Sequence, residues 1–162
     1  MSGLKLKHAR TIIKKALARG RELGLKPLSV CVLDAGGHTV AFEREDGASP
    51  LRYKIAHGKA YGSIAIGFGS RAIFERARQQ AFFVQSVNAL CDGALVPSPG
   101  GVLIRNRKDE IIGAVGITGD TGDNDEKCAI AGVEAAGFTA DTGEKDANFF
   151  AGGPAGGAGG PR

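Results

Sequence analysis

Two pairs of short β-rich runs, each pair joined by a tight polar turn, constrain this chain more than any other feature. Leu28 to Leu33 (LSVCVL) and Thr39 to Arg44 (TVAFER) flank the turn DAGGH. Val102 to Asn106 (VLIRN) and Ile111 to Thr118 (IIGAVGIT) flank the polar stretch Arg107 to Glu110. Apolar, β-branched runs separated by a few turn residues pair antiparallel, because a short connection leaves no room for a crossover. Gly36 and Gly37 can adopt the positive φ that the first turn requires.

Helical stripes occupy the remaining space. Ala9, Ile12, Ile13, Ala16, Leu17 and Leu23 recur at helical spacing with Lys and Arg between them, and Gly24 and Pro27 end the pattern. Leu51 to Ile66 reads as a helix with Ile55, Ala56, Ala60, Ile64 and Ala65 apolar and Gly58, Gly62 and Ser63 small. Glycine in a helix costs about 1 kcal/mol relative to alanine, so this run implies close packing against backbone or a flat ligand. Ser70 to about Gln85 forms another helix, with Ser70 as N-cap and Ile73, Phe74, Ala77 and Ala81 on one face. The stretch VNALCDGALVPSPGG reads as irregular. An acidic loop then leads into a last helix, where Asp123 and Glu126 have capping-box spacing and Ala129, Ile130, Val133, Ala136 and Gly137 face inward. The order α-ββ-αα-ββ-α predicts an α+β fold: an antiparallel sheet of four or five strands covered by helices.

A length of 162 residues supports one domain with a hydrophobic core, placed at residues 1–150 and closed by Phe149 and Phe150. The final AGGPAGGAGGPR holds 6 of the 26 glycines and is expected to be a disordered tail, residues 151–162. No run approaches eighteen apolar residues, and the N-terminus lacks the unbroken apolar stretch of a secretory signal. Cys31, Cys91 and Cys128 are odd in number and widely spaced, which fits small residues of a reducing compartment, so a cytoplasmic location is expected. The net charge of +4 is polarised: residues 1–26 carry eight Lys/Arg against one Glu, and residues 109–146 carry ten Asp/Glu against two Lys. The basic segment falls on an amphipathic helix and no nucleic-acid-binding motif accompanies it, so no nucleic-acid partner is expected.

The strings RELGL, SVCVLDAGGHTVAFEREDGA, KAY at Lys59 to Tyr61, PGGV at Pro99 to Val102 and IIGAVGITGDTGDNDEKCAIAGVEA occur in this order over roughly residues 5 to 137. In them the chain resembles the GlcG/HbpS family, a haem-binding-protein-like domain also found at the C-terminus of PduO-type proteins. The resemblance implies an antiparallel sheet with helices on both faces, a homo-oligomer, and a small-molecule ligand such as haem. Two positions depart from the family's pattern: Leu103 stands where a proline is usual, and His57 where an apolar or small residue is expected.

Among the candidate site residues, His57 stands out, since His8 reads as solvated and His38 as a turn residue. A neutral imidazole at His57 can ligate haem iron, bind another metal, act as a general base, or simply be a hydrogen-bonded core histidine. Lys59, which matches the family's KA position, can receive a carboxylate, such as a haem propionate, or can be a surface lysine; Tyr61 lies beside it. The backbone N–H groups at Gly100 and Gly101, before Val102, can hold an anion or an oxyanion, or the glycines can simply make the turn. Asp125 and Glu126 match the family, although acidic residues at a helix N-terminus are already expected from capping and the helix dipole. Two functions follow from these candidates. One is a haem or tetrapyrrole-binding module with His57 on the iron. The other is a small catabolic enzyme, a lyase, isomerase or hydrolase acting on a carboxylated or oxidised aromatic-derived substrate. That enzyme would use His57 as acid/base, Lys59 as carboxylate anchor, Tyr61 nearby and the glycine loop as oxyanion donor.

Overall fold

The computed structural model describes residues 3–147; Phe149, Phe150 and the tail lie outside the described residues. The elements are α1 (Leu6–Glu22), β1 (Ser29–Asp34), β2 (Thr39–Arg44), α2 (Arg52–Ile66), α3 (Ser70–Gln79), α4 (Ala81–Leu90), β3 (Gly101–Arg105), β4 (Ile111–Thr118), α5 (Gly122–Ala135) and β5 (Thr139–Asp141). The five strands form one antiparallel sheet in the order β2-β1-β4-β3-β5. Both expected hairpins are present, and β5 adds an outer strand beside β3 that the α-ββ-αα-ββ-α order did not contain. It has only three residues, too few for a recognisable alternating pattern.

Alternation along the strands divides the core into two layers. Val30, Val32, Val102, Ile104, Val115 and Ile117 meet α1 and α5 through Ile12, Ile13, Ala16, Ala129 and Val133. Cys31, Leu33, Leu103 and Ala114 meet Ala56 and Ala60 of α2 on the opposite face. That second layer is thin because glycines admit the helix backbone. A Cβ at Gly116 would collide with the carbonyl of Ala56, and one at Gly101 with the carbonyl of Lys59. The far side of α2 is equally tight. A Cβ at Gly58 would stand 2.6 Å from the Val96 side chain, and the Val96 N–H donates to the Gly58 carbonyl at 3.1 Å. Gly62 is similarly filled by Leu95. The small residues of this helix therefore serve protein packing, and protein atoms fill the space beside Gly58 and Gly62.

Three local expectations are corrected. The helix expected over 70–85 breaks at Gln80 (φ −140, ψ 63) and resumes as α4, so the start of the stretch read as irregular, Val87 to Leu90, is helical. Gln80 is neither Gly nor Pro, which removes the usual sequence mark of a break. Ser70 is the first helical residue, not the cap: its hydroxyl donates to the Ser98 carbonyl and accepts from the Gly101 N–H. The last helix is capped by Thr121, whose hydroxyl accepts from the Asn124 N–H, while Asp123 lies within the first turn.

Candidate functional site

Residues 53, 57 and 61 are spaced by four along α2, so their side chains form one ridge. His57 stacks on Tyr61 with ring centroids 5.5 Å apart and planes 15° apart, and Tyr53 lies 6.0 Å away on its other side. The Tyr53 ring is in turn met edge-on by Phe42 of β2, 4.7 Å away. Tyr61 covers the hairpin turn, where a Cβ at Gly37 (φ +83) would come within 3.1 Å of its ring. A cleft of about 400 Å³ opens beside the ridge, lined by Tyr53, Lys54, His57, Asp92, Gly93 and Ala94. That volume lies within the roughly 300–1,000 Å³ range of small-molecule sites. Its far wall is the turn after α4, in which Asp92 (φ 54) and Gly93 (φ 78) are both left-handed. His57 is half-buried, and the loss of solvation pushes its imidazole pKa below 6.5, so the neutral form prevails at neutral pH.

The other candidates sit elsewhere. Lys59 is only 3% exposed and lies under the helix, with Nζ donating to the Ile117 carbonyl at 2.9 Å and to Asp125 at 3.0 Å. Asp125, also buried, accepts from the Asp120 N–H with its other oxygen. Burial pushes the Lys59 ammonium down and the Asp125 carboxyl up in pKa, while their mutual attraction opposes both shifts. The expected placement of Lys59 beside His57 as a carboxylate anchor is thus corrected: two residues along a helix turn the side chains about 200° apart. The Gly101 half of the glycine loop is corrected too. The Gly101 N–H is taken by the Ser70 hydroxyl, the Gly100 carbonyl by the Ile117 N–H, and Val102 is core. Glu126 lines a different cleft, of about 390 Å³, where Arg71 binds it and Asp123. This cleft shares no lining residue with the one beside His57. His8, expected to be solvated, packs edge-on against Phe138.

Of the candidate set, two groups are brought together: His57 with Tyr61 at the cleft, and Lys59 with Asp125 and Gly100 in the interior. Tyr53, Lys54 and the turn 92–94 complete the surroundings and were not singled out from the sequence. The four-residue spacing of Tyr53, His57 and Tyr61 was the available signal.

Residues 4–134 match the family described as haem-degrading protein HbpS-like. The chain belongs to this family. Solved structures of the same fold include a PduOC–haem complex (TM-score 0.76, 21% identity, 86% of this chain and 99% of that one). HbpS itself is similar (TM-score 0.70, 25% identity, 83% and 90%), as is protein ORFY of Klebsiella pneumoniae (TM-score 0.75, 21% identity, 85% and 92%). No curated protein matches the sequence. The matched span contains nearly all of the strings on which the resemblance was drawn. Membership connects the fold to haem at the level of the family.

Proposed function

We propose that this protein binds haem or a related tetrapyrrole in the cleft beside Tyr53 and His57, where the His57 imidazole would hold the iron. The observation that carries this reading is a half-buried imidazole, kept neutral by its surroundings, between two tyrosine rings at the edge of a solvent-reachable cleft. These residues suit the group: a neutral ring nitrogen is the form that ligates iron, and aromatic faces pack against a flat macrocycle. Haem, when bound, supplies a redox-active iron. The chain supplies a ligand held in orientation by its stacking on Tyr61, and a rigid wall made by α2. The HbpS-like family and the haem complex of a protein of this fold support the same reading. Following the family resemblance, the functional unit is a homo-oligomer.

Haemin titration of the wild type and His57→Ala, followed at the Soret band, tests the assignment. Wild type is expected to shift the band and His57→Ala to lose the shift or weaken binding by tenfold or more. Identical spectra and affinities eliminate His57 as ligand. His57-dependent turnover of a carboxylated substrate, without any haem signal, would replace this reading with acid/base chemistry at the same imidazole.

A further inference from the structure

Lys59 is sealed against Asp125, so the cleft beside His57 needs another cation if its ligand is an acid. One residue of the lining qualifies. Lys54 lies one helical turn before His57, is exposed, and joins none of the ion pairs found among the described residues. The opposite wall carries the only carboxylate of the lining, Asp92, held in left-handed backbone at the start of the 92–94 turn. The two walls therefore differ in sign, and the aromatic ridge runs along the cationic one. A flat ligand packed against Tyr53 and His57 has its edge at the Lys54 stem, whose four carbons let the ammonium follow a carboxylate at the rim.

We infer that Lys54 anchors the carboxylate of a planar ligand in this cleft, and that Asp92 opposes a second negative charge on the far wall. The inference rests on the cleft being the ligand site, as proposed above, and it sets the ligand class: a flat aromatic or macrocyclic acid, lying with its charged edge toward the N-terminal end of α2. The chemistry is an exposed charge-assisted hydrogen bond, worth a modest factor in affinity, so the decisive readout is selectivity between acid and ester.

Haemin and its dimethyl ester are titrated against wild type, Lys54→Gln, Lys54→Arg and Asp92→Asn. In parallel, 1-pyrenebutyrate and its methyl ester are titrated by fluorescence, which needs no iron. Lys54→Gln is expected to weaken both acids by roughly threefold to tenfold and leave both esters unchanged, with Lys54→Arg retaining the preference. Asp92→Asn, which keeps a residue tolerant of left-handed backbone, is expected to tighten the acids and not the esters. The Soret position is expected to stay fixed in all variants, since His57 is intact. Equal effects on acid and ester, or none, overturn the anchor while leaving haem binding in place. Lys54-dependent binding of pyrenebutyrate without any haemin signal leaves the anchor standing and removes haem. Failure of wild type to bind either acid overturns both.

Discussion

Lys59 and Asp125 place opposite charges 3.0 Å apart where neither is more than 3% exposed. Removing one partner strands the other, so Lys59→Ala is expected to cost about 3–5 kcal/mol in urea unfolding. Lys59→Met combined with Asp125→Leu should recover most of that loss, because the desolvation penalty goes with both charges. His57 behaves differently. Its lowered pKa means that the folded chain binds fewer protons than the unfolded chain, whose histidine titrates near 6.5. The stability associated with the neutral ring is therefore present above that pH and is lost as pH falls below it. Acid titration of the haem-loaded protein should release haem below pH 6.5, and His57→Ala should abolish that midpoint in an absorbance titration. The sequence made both Lys59 and His57 conspicuous but put them together. Residue type and spacing name the side chains; the hydrophobic pattern of α2 is too even, with small residues all round, to tell its buried face from its open one.

At the scale of elements, the contact of α2 with the sheet is made by helix carbonyls against strand glycines. Gly116→Ala places a methyl group into the Ala56 carbonyl, and backbone on both sides prevents relief. Overpacking of this kind costs about 1–3 kcal/mol and should appear as a lower denaturation midpoint. Thr121→Ala removes the hydroxyl that accepts from Asn124 and is expected to cost about 1 kcal/mol in the same assay. The two hairpins were legible because alternation and turn chemistry pointed the same way, with β2 and β4 falling at the expected residues. The break at Gln80 was not, since the apolar pattern continues through it. The break goes with a small core of Ile73, Val84 and Leu95 shared by both helices and the segment after them, which is tertiary information.

Across the whole molecule the polarity is uneven. Helix α4 carries no charged residue and buries only Val84, leaving Phe82 71% and Leu90 84% exposed. If homo-oligomer formation uses this face, sedimentation should show Leu90→Asp as a smaller species than wild type, with the ridge of Tyr53, His57 and Tyr61 intact. The same helix feeds directly into the turn that walls the cleft, whereas α2 is pinned on both sides by glycine contacts. With the carbonyls of Ala56 and Lys59 seated on the sheet, sliding or tilting α2 would drive atoms into one another, so the His57 ridge keeps a fixed place over the sheet. The 92–94 turn opposite it is tied to the same helix, because Leu95 and Val96, which follow it directly, pack against Gly62 and Gly58, so both walls of the cleft take their position from α2.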